Sequence, residues 1–317
     1  MNKKPFVICL MGTTASKKTK LAIKLTNYLP VDIISVDSAS IYKYLNIGTD
    51  KPSYKELSEI PHKLINIKEP YESYSVINFF HDALEEINLS INNNRIPLLV
   101  GGSMLYYKVL MEGISNILPK KNIIFRKNIH SYSKKLGFKN LHNHLKIIDP
   151  ISAKRINKND IFRIIRSLEV FYITKKKMSE IFKKKNKIKK IPYNFLKFAI
   201  VPNSKFLLHR NIEKRFKKML SMGFQEEVEK IINCNNVKYN MQSMNCIGYR
   251  QMWQYIDGKI SYNTMIEKSV NLTKNLAKKQ LTWLKKWKNI YYLKKESIIK
   301  NIELLLNCVN IYKNIYI

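Results

Sequence analysis

Short apolar runs alternate with amphipathic stretches through the first third of the chain. PFVICLM at 5–11 is apolar, rich in β-formers, and stops at Gly12, the pattern of a strand buried on both faces. TKLAIKLTNYL follows at 19–29 and places Leu21, Ala22, Leu25 and Leu29 at helical spacing. VDIISVD at 31–37 reads as a second buried strand, ending on Asp37 and Ser38. IPLLVGGSMLYYKVLM at 96–111 repeats the plan, with a strand through Val100, a Gly101-Gly102 turn and then a helix. Such alternation predicts an α/β fold, a parallel sheet with helices on both faces. Ligands collect at the carboxyl ends of such strands. Gly12 to Thr19, Asp37-Ser38 and Gly101 to Ser103 all fall there, so three separated segments converge on one prospective site.

From about residue 120 the texture changes. KKNIIFRKNIHSYSKKLGFKNLHNHLKIIDP and the stretch on to KKKNKIKKIP lack strand alternation and carry dense lysine at helical periodicity. This predicts an inserted all-helical subdomain at 120–196, within a core formed by 1–119 and 197–317. NFLKFAIV reads as a strand returning to the sheet, and NIYYL as a last strand among helices.

LMGTTASKKTK at 10–20 sits between the first strand and the first helix. A phosphate-cradling loop reads G-x-x-x-x-G-K-[ST]. Gly12, Lys18 and Thr19 stand at that spacing, but Lys17 occupies the second glycine position. In a P-loop NTPase-like fold the backbone N–H groups of Thr13, Thr14, Ala15, Ser16 and Lys17, with the helix N-terminus, would bind phosphate oxygens. Lys18 would reach a terminal phosphate and the Thr19 hydroxyl would hold Mg²⁺. A lysine forced into the left-handed conformation costs about 1 kcal/mol, so the loop is expected to be weakened but working. A connection that binds nothing is the alternative.

The net charge of +34 on 317 residues attracts polyanions, nucleic acid first. Lys, Asn and Ile are over-used throughout, as AT-rich coding would produce, so charge alone assigns nothing. Four scattered cysteines without a C-x-x-C pair fit thiols in a reducing cytoplasm, not a disulfide or zinc framework. His142 and His144 form an H-x-H that no nearby cysteine or carboxylate completes. MNKKPFVICLMG mimics a signal peptide but lacks a small-residue cleavage site and leads into Lys17 and Lys18, which favours a buried strand. No apolar stretch reaches the ~18 residues that span a bilayer, so the chain is expected to be soluble and cytoplasmic.

Other residues admit two readings. Asp37 suits a proton acceptor or a second Mg²⁺ ligand, but also a turn aspartate. Arg163 and Arg166 share a helix face with Glu169, which suits either phosphate contacts or an intrahelical ion pair. In AKKQLTWLKKW, lysines flank Trp283 and Trp287 at i, i+4, a pattern for RNA contact and stacking or for core packing with solvated lysines.

Together these motifs resemble the bacterial tRNA dimethylallyltransferases, also called tRNA isopentenylpyrophosphate transferases. GTTASKKT, ISVDSA with Ile41-Tyr42, IGTDKP, PHKLI, IPLLVGGSMLYYK, ND-xx-R-xx-R-SLEV, CIGYRQMW and KKQLTWLKKW follow in that family's order over nearly the whole chain. The resemblance implies transfer of a dimethylallyl group from its diphosphate to the exocyclic N6 of the adenosine 3′ of the anticodon, with Mg²⁺. The loop would then hold a diphosphate leaving group. Arg215 matches a diphosphate contact, Asp37 the acceptor of the N6 proton, and Ser103 stands where threonine is usual near the reacting centre. A closed channel implies base flipping.

Anticodon-arm contacts of the family map onto four blocks. The first is Asp37, Ser38, Ala39 and Ser40. The second is Asp160 with Ile161, Phe162, Arg163, Ile164 and Ile165. The third is Asn245, Cys246, Ile247, Gly248, Tyr249 and Arg250. The fourth is Lys278, Lys279, Gln280, Leu281, Thr282, Trp283, Leu284 and Lys285. The helical insertion would close over the other side of the RNA arm, and a monomer is expected. Departures are Lys17 for glycine, Asn245 and Asn211 for arginines, and Phe162 for glutamine. Three rivals remain at this stage: a P-loop small-molecule kinase using ATP, an RNA-binding remnant with an impaired loop, and prenyl transfer to free adenine nucleotide.

Overall fold

A computed structural model of the chain describes residues 4–113, 118–119, 121–183, 191–234, 236–294 and 297–316. Residues 184–190 of the lysine-dense run lie outside the described residues. The strands are β1 (Phe6–Gly12), β2 (Val31–Val36), β3 (His62–Lys63), β4 (Ile96–Gly101), β5 (Asn194–Val201) and β6 (Ile290–Lys294). They form one six-stranded sheet in the order β3-β2-β4-β1-β5-β6, with every pairing parallel.

Helices α1 (Lys18–Leu25), α2 (Tyr54–Glu59), α3 (Val76–Asn92) and α4 (Met104–Glu112) precede the insertion. The insertion carries α5 (Ile123–Leu136), α6 (Phe138–Ile148), α7 (Pro150–Arg155), α8 (Ile161–Thr174) and α9 (Met178–Lys183). After β5 come α10 (Lys205–Ser221), α11 (Phe224–Ile232), α12 (Tyr249–Ile256) and α13 (Tyr262–Lys286), and α14 (Ile298–Tyr316) ends the described chain.

Right-handed crossovers explain the layering. The chain runs from β1 out to β2 and then back to β4, so α1 and α3 fall on opposite faces. Phe6, Ile8 and Leu10 of β1 pack with Leu21, Ala22 and Leu25 of α1 and with Ile302, Leu305 and Val309 of α14. The helix ends at Leu25, earlier than the apolar pattern suggested, yet Leu29 still joins this core from the turn that follows. On the other face Tyr107 of α4 donates its buried hydroxyl to the carbonyls of Leu10 (3.2 Å) and Leu99 (3.0 Å).

Two compact units emerge, Met1–Glu112 with Ile191–Ile317, and Gly113–Lys190. The sheet unit resumes earlier than 197 because β5 pairs with β1 from Asn194 opposite Phe6. Residues 194–196 are therefore sheet and not insertion.

The helical unit holds two buried carboxylates, Asp149, which accepts from the N–H groups of Ser152 and Ser179, and Glu169, which gathers two arginines. Glu169 of α8 has no exposed surface. It accepts hydrogen bonds from Asn122 N–H (2.8 Å), Arg126 Nε (2.9 Å) and Nη2 (2.7 Å), and Arg166 Nη1 (2.6 Å). Arg166 is thus an intrahelical ion-pair partner, and its Nη2 also donates to Pro119 O. Leu141, Leu145, Ile156, Ile164 and Leu168 form the apolar core of this unit.

Burial alone would raise the Glu169 pKa, but the two guanidinium groups outweigh it and hold the carboxyl down at about 2. Its folded value lies below its ordinary one, so its stabilisation is present above about pH 4.5 and is lost as pH falls through about 2. Amide exchange of α8 is expected to accelerate across that window. Glu169→Gln should destabilise this unit by about 3 kcal/mol at neutral pH and abolish that pH step. An unchanged step in the variant would assign the acid sensitivity to another group.

Candidate active site

The loop between β1 and α1 is shaped by crowding at its start and by backbone twist at its end. A Cβ on Gly12 would meet the carbonyl oxygen of Ile200 in β5 at 2.7 Å and Ser16 Oγ at 3.0 Å, so no side chain fits there. Ala15 (φ 58°) and Lys17 (φ 64°) are both left-handed. Lys17 is the N-cap of α1, makes no side-chain cap, and lies exposed where glycine would be unstrained. Thr13 is fully buried, and its hydroxyl has no hydrogen-bond partner among the described residues.

Lys18 turns into the loop, donating from Nζ to Thr13 O (2.7 Å) and Ser16 Oγ (3.3 Å). Burial pushes its ammonium down to about 8. Asp37 pulls the value back up, Arg215 pushes it further down, and Asp50 again pulls it up. Lys18, Asp37, Arg215 and Asp50 therefore share one electrostatic neighbourhood. Arg215 of α10 pairs with Asp50 at 3.2 Å. Asp50 bears no role in the sequence reading, although it lies in the quoted IGTDKP motif.

Asp37 sits one residue past β2 and adopts the turn geometry. Its Oδ1 accepts from the N–H groups of Ala39 (2.8 Å) and Ser40 (3.3 Å). Oδ2 takes no hydrogen bond among the described residues, so the turn aspartate keeps one oxygen open. Ser103 Oγ accepts from Ser38 N–H (3.1 Å), and Ser103 N–H donates to Val36 O (3.2 Å). The ends of β2 and β4 are thereby tied together.

Two further groups support this edge. Glu227 of α11 accepts from the N–H groups of Asn46 (3.0 Å), Ile47 (2.8 Å) and Gly48 (3.2 Å) and from Tyr249 Oη (2.6 Å). That carboxylate fixes the loop that presents Asp50. Lys51 bonds Tyr42 O (2.5 Å), Asn66 Oδ1 (2.7 Å) and Asn46 Oδ1 (3.2 Å). Burial pushes Lys51 down to about 8, against the pull of Glu227, Asp37 and Cys246. Sequence reasoning missed both, because their partners lie in loops without periodicity.

The four blocks expected to contact RNA divide into buried and exposed residues. Ile164 and Ile165 lie in the core of the helical unit, and Tyr249 and Leu284 are buried in the sheet unit. Ser40, Gly248 and Gln280 are also buried. Within α8, α12 and α13 successive side chains turn to different faces, so a contiguous helical block cannot present every residue to one partner. Ser38, Phe162, Arg163, Asn245, Lys278, Lys279, Thr282 and Lys285 are exposed, while Ala39, Ile161, Cys246, Ile247, Arg250, Leu281 and Trp283 are half-buried. Arg163 pairs with Asp160. Arg250 stacks on Tyr239 and donates to Asn245 Oδ1 (2.5 Å). Trp283 and Trp287 meet edge-on at 6.3 Å, Trp287 also meets Tyr107, and Lys108 lies over Trp283. His142 bonds the carbonyls of Ala153 and Ile156, and no cluster of three metal-ligating His, Cys, Asp or Glu side chains occurs among the described residues. All four cysteines are free, and no described helix is long and apolar enough to cross a membrane.

Comparison with known proteins identifies the family. The family described as IPP transferase matches residues 40–287. The chain belongs to this family. A tRNA dimethylallyltransferase from Buchnera aphidicola subsp. Acyrthosiphon pisum (strain APS) is 52% identical over 91% of this chain and 90% of its own length. The crystal structure of the tRNA isopentenylpyrophosphate transferase from Bacillus halodurans is 29% identical at TM-score 0.70, covering 97% of this chain and 96% of its own. That of the tRNA Δ(2)-isopentenylpyrophosphate transferase from Staphylococcus epidermidis is 32% identical, also at TM-score 0.70, over 97% and 99%. A eukaryotic dimethylallyltransferase captured acting on tRNA reaches TM-score 0.73 at 26% identity, over 92% of this chain and 74% of its own. The family match begins at residue 40, after the β1–α1 loop and Asp37.

Lys17→Gly removes the left-handed strain and is expected to raise stability by about 0.5 to 1 kcal/mol, read as a higher urea midpoint. An unmoved midpoint would show that the left-handed backbone at this position carries no net strain.

Proposed function

We propose that this member of the IPP transferase family moves a dimethylallyl group from dimethylallyl diphosphate to N6 of the adenosine 3′-adjacent to the anticodon of tRNA, as a cytoplasmic monomer. The observation that carries the reading is that the loop holding Lys18 and the turn holding Asp37 both leave the sheet at strand carboxyl ends, those of β1 and β2, with Arg215 of α10 paired to Asp50. An anion cradle and a proton acceptor there serve the two ends of a single displacement.

The N6 lone pair forms a bond to C1 of the dimethylallyl group while the C1–O bond to diphosphate breaks. Charge grows on the departing diphosphate, where Lys18, Arg215 and the remaining N–H groups of the loop stabilise it. On binding, Lys18 exchanges Thr13 O for phosphate oxygens, and Arg215 exchanges Asp50. The nitrogen's proton passes to the open Oδ2 of Asp37, whose Oδ1 is held by Ala39 and Ser40. Ser103 holds that turn in place through Ser38.

The Thr19 hydroxyl at the start of α1 is a hard oxygen donor beside the loop that would hold the diphosphate oxygens. That set fits Mg²⁺, which binds through few protein oxygens plus phosphate and water. Thr19 would hold it, and it would supply positive charge toward the leaving diphosphate. The exposed lysines of α13 and the exposed Arg163 and Phe162 suit backbone and stacking contacts with the anticodon arm. The ATP-dependent kinase reading is not favoured by the named relatives.

Labelled dimethylallyl diphosphate, Mg²⁺ and unmodified tRNA provide the test. Label should enter tRNA with the parent protein, and Asp37→Ala should lower kcat by about 100-fold or more. Absence of transfer by the parent would sink the reading, and parent-like turnover by Asp37→Ala would remove Asp37 from the proton transfer.

A further inference from the structure

Gln280 reaches from α13 into the strand edge and is only 6% exposed. Its Oε1 accepts from Thr14 N–H at 2.9 Å, and its Nε2 donates to Gly102 O at 2.9 Å. One side-chain amide thus spans the phosphate loop and the turn between β4 and α4. The next residue in that turn, Ser103, accepts from Ser38 N–H at 3.1 Å, beside Asp37. A hydrogen-bonded path therefore runs from Thr14 through Gln280, Gly102 and Ser103 to the turn that carries Asp37.

The place occupied by this amide also accounts for residue 102. A Cβ on Gly102 would lie 2.5 Å from Gln280 Nε2, although Gly102 does not have a positive φ. Only a carboxamide offers a donor and an acceptor at this spacing without charge. A carboxylate would face the Gly102 carbonyl with a second acceptor, and a hydrocarbon would leave Thr14 N–H and Gly102 O without their partner.

We propose that Gln280 is a positioning residue that holds the phosphate loop at a set distance from the base-bearing turn, and not a contact to RNA. The inference rests on the transferase reading above for its catalytic consequence, but its binding consequence stands apart. The amide orients Thr14 and so the loop that receives diphosphate. It also sets where Ser103 and Asp37 lie relative to that anion.

Gln280→Met and Gly102→Ala test it, the second because its added methyl displaces the amide with residue 280 unchanged. Each should weaken binding of inorganic diphosphate, measured by calorimetry, by about tenfold, while KM for tRNA stays within about twofold. Both should lower kcat for transfer. The double variant should lose no more than the worse single variant, since both break one contact. Should Gln280→Met fail to fold, Gly102→Ala carries the same comparison.

A raised KM for tRNA with unchanged diphosphate affinity would overturn the proposal and restore Gln280 as an RNA contact. Unchanged affinity and kcat in both variants would reduce it to packing, and additive losses would deny the shared bridge. A parent protein that binds diphosphate without modifying tRNA would instead overturn the transferase reading and leave the bridge standing on its affinity change.

Discussion

Everything at the functional edge depends on β1 lying in parallel register between β4 and β5. That register brings Gly12 against Ile200 on one side and sets Met11 beside Gly101 on the other. β2 pairs in turn with β4, so Val36 stands beside Gly101 and Asp37 emerges next to the turn that holds Ser103. Parallel strands all end at the same edge, so loops distant in sequence become neighbours without a connection between them. The buried apolar faces of the strands supply the driving force, and the polar loops inherit their positions from it.

Charge at this edge is balanced before any anion arrives. Lys18 is satisfied by its own loop, and Arg215 by Asp50. A cluster of cations this close would repel itself if left unpaired, and the partial enclosure of Lys18 already depresses its ammonium. Pairing of this kind offsets the cost of taking each cation partly out of water. The same logic governs the helical unit, where Glu169 is buried with two arginines and serves architecture.

The lysine excess distributes differently from the chemistry. Lysines 278, 279 and 285 of α13 are exposed, whereas Gln280 between them faces inward and Leu284 is buried. One helix therefore presents a cationic face outward and inserts an uncharged amide into the strand edge. Contiguous motif blocks mix both kinds of residue, because a helix turns its successive side chains through about 100° each.

Alternating strands and helices, the Gly12-Lys18-Thr19 spacing and the strand-terminal position of Asp37 were legible in the chain itself, because they follow from local periodicity and backbone preference. The left-handed Lys17 was legible for the same reason: its place in the loop demands that backbone, whatever residue occupies it. Strand order, the return of the sheet unit at Ile191, the Arg215–Asp50 pair, the cradle of Glu227 and the inward turn of Gln280 were decided only by tertiary structure. Each joins residues far apart in the chain, 165 positions for Arg215 with Asp50 and 266 for Thr14 with Gln280. No local pattern encodes such a meeting; it exists only once the buried faces of strands and helices have found one another.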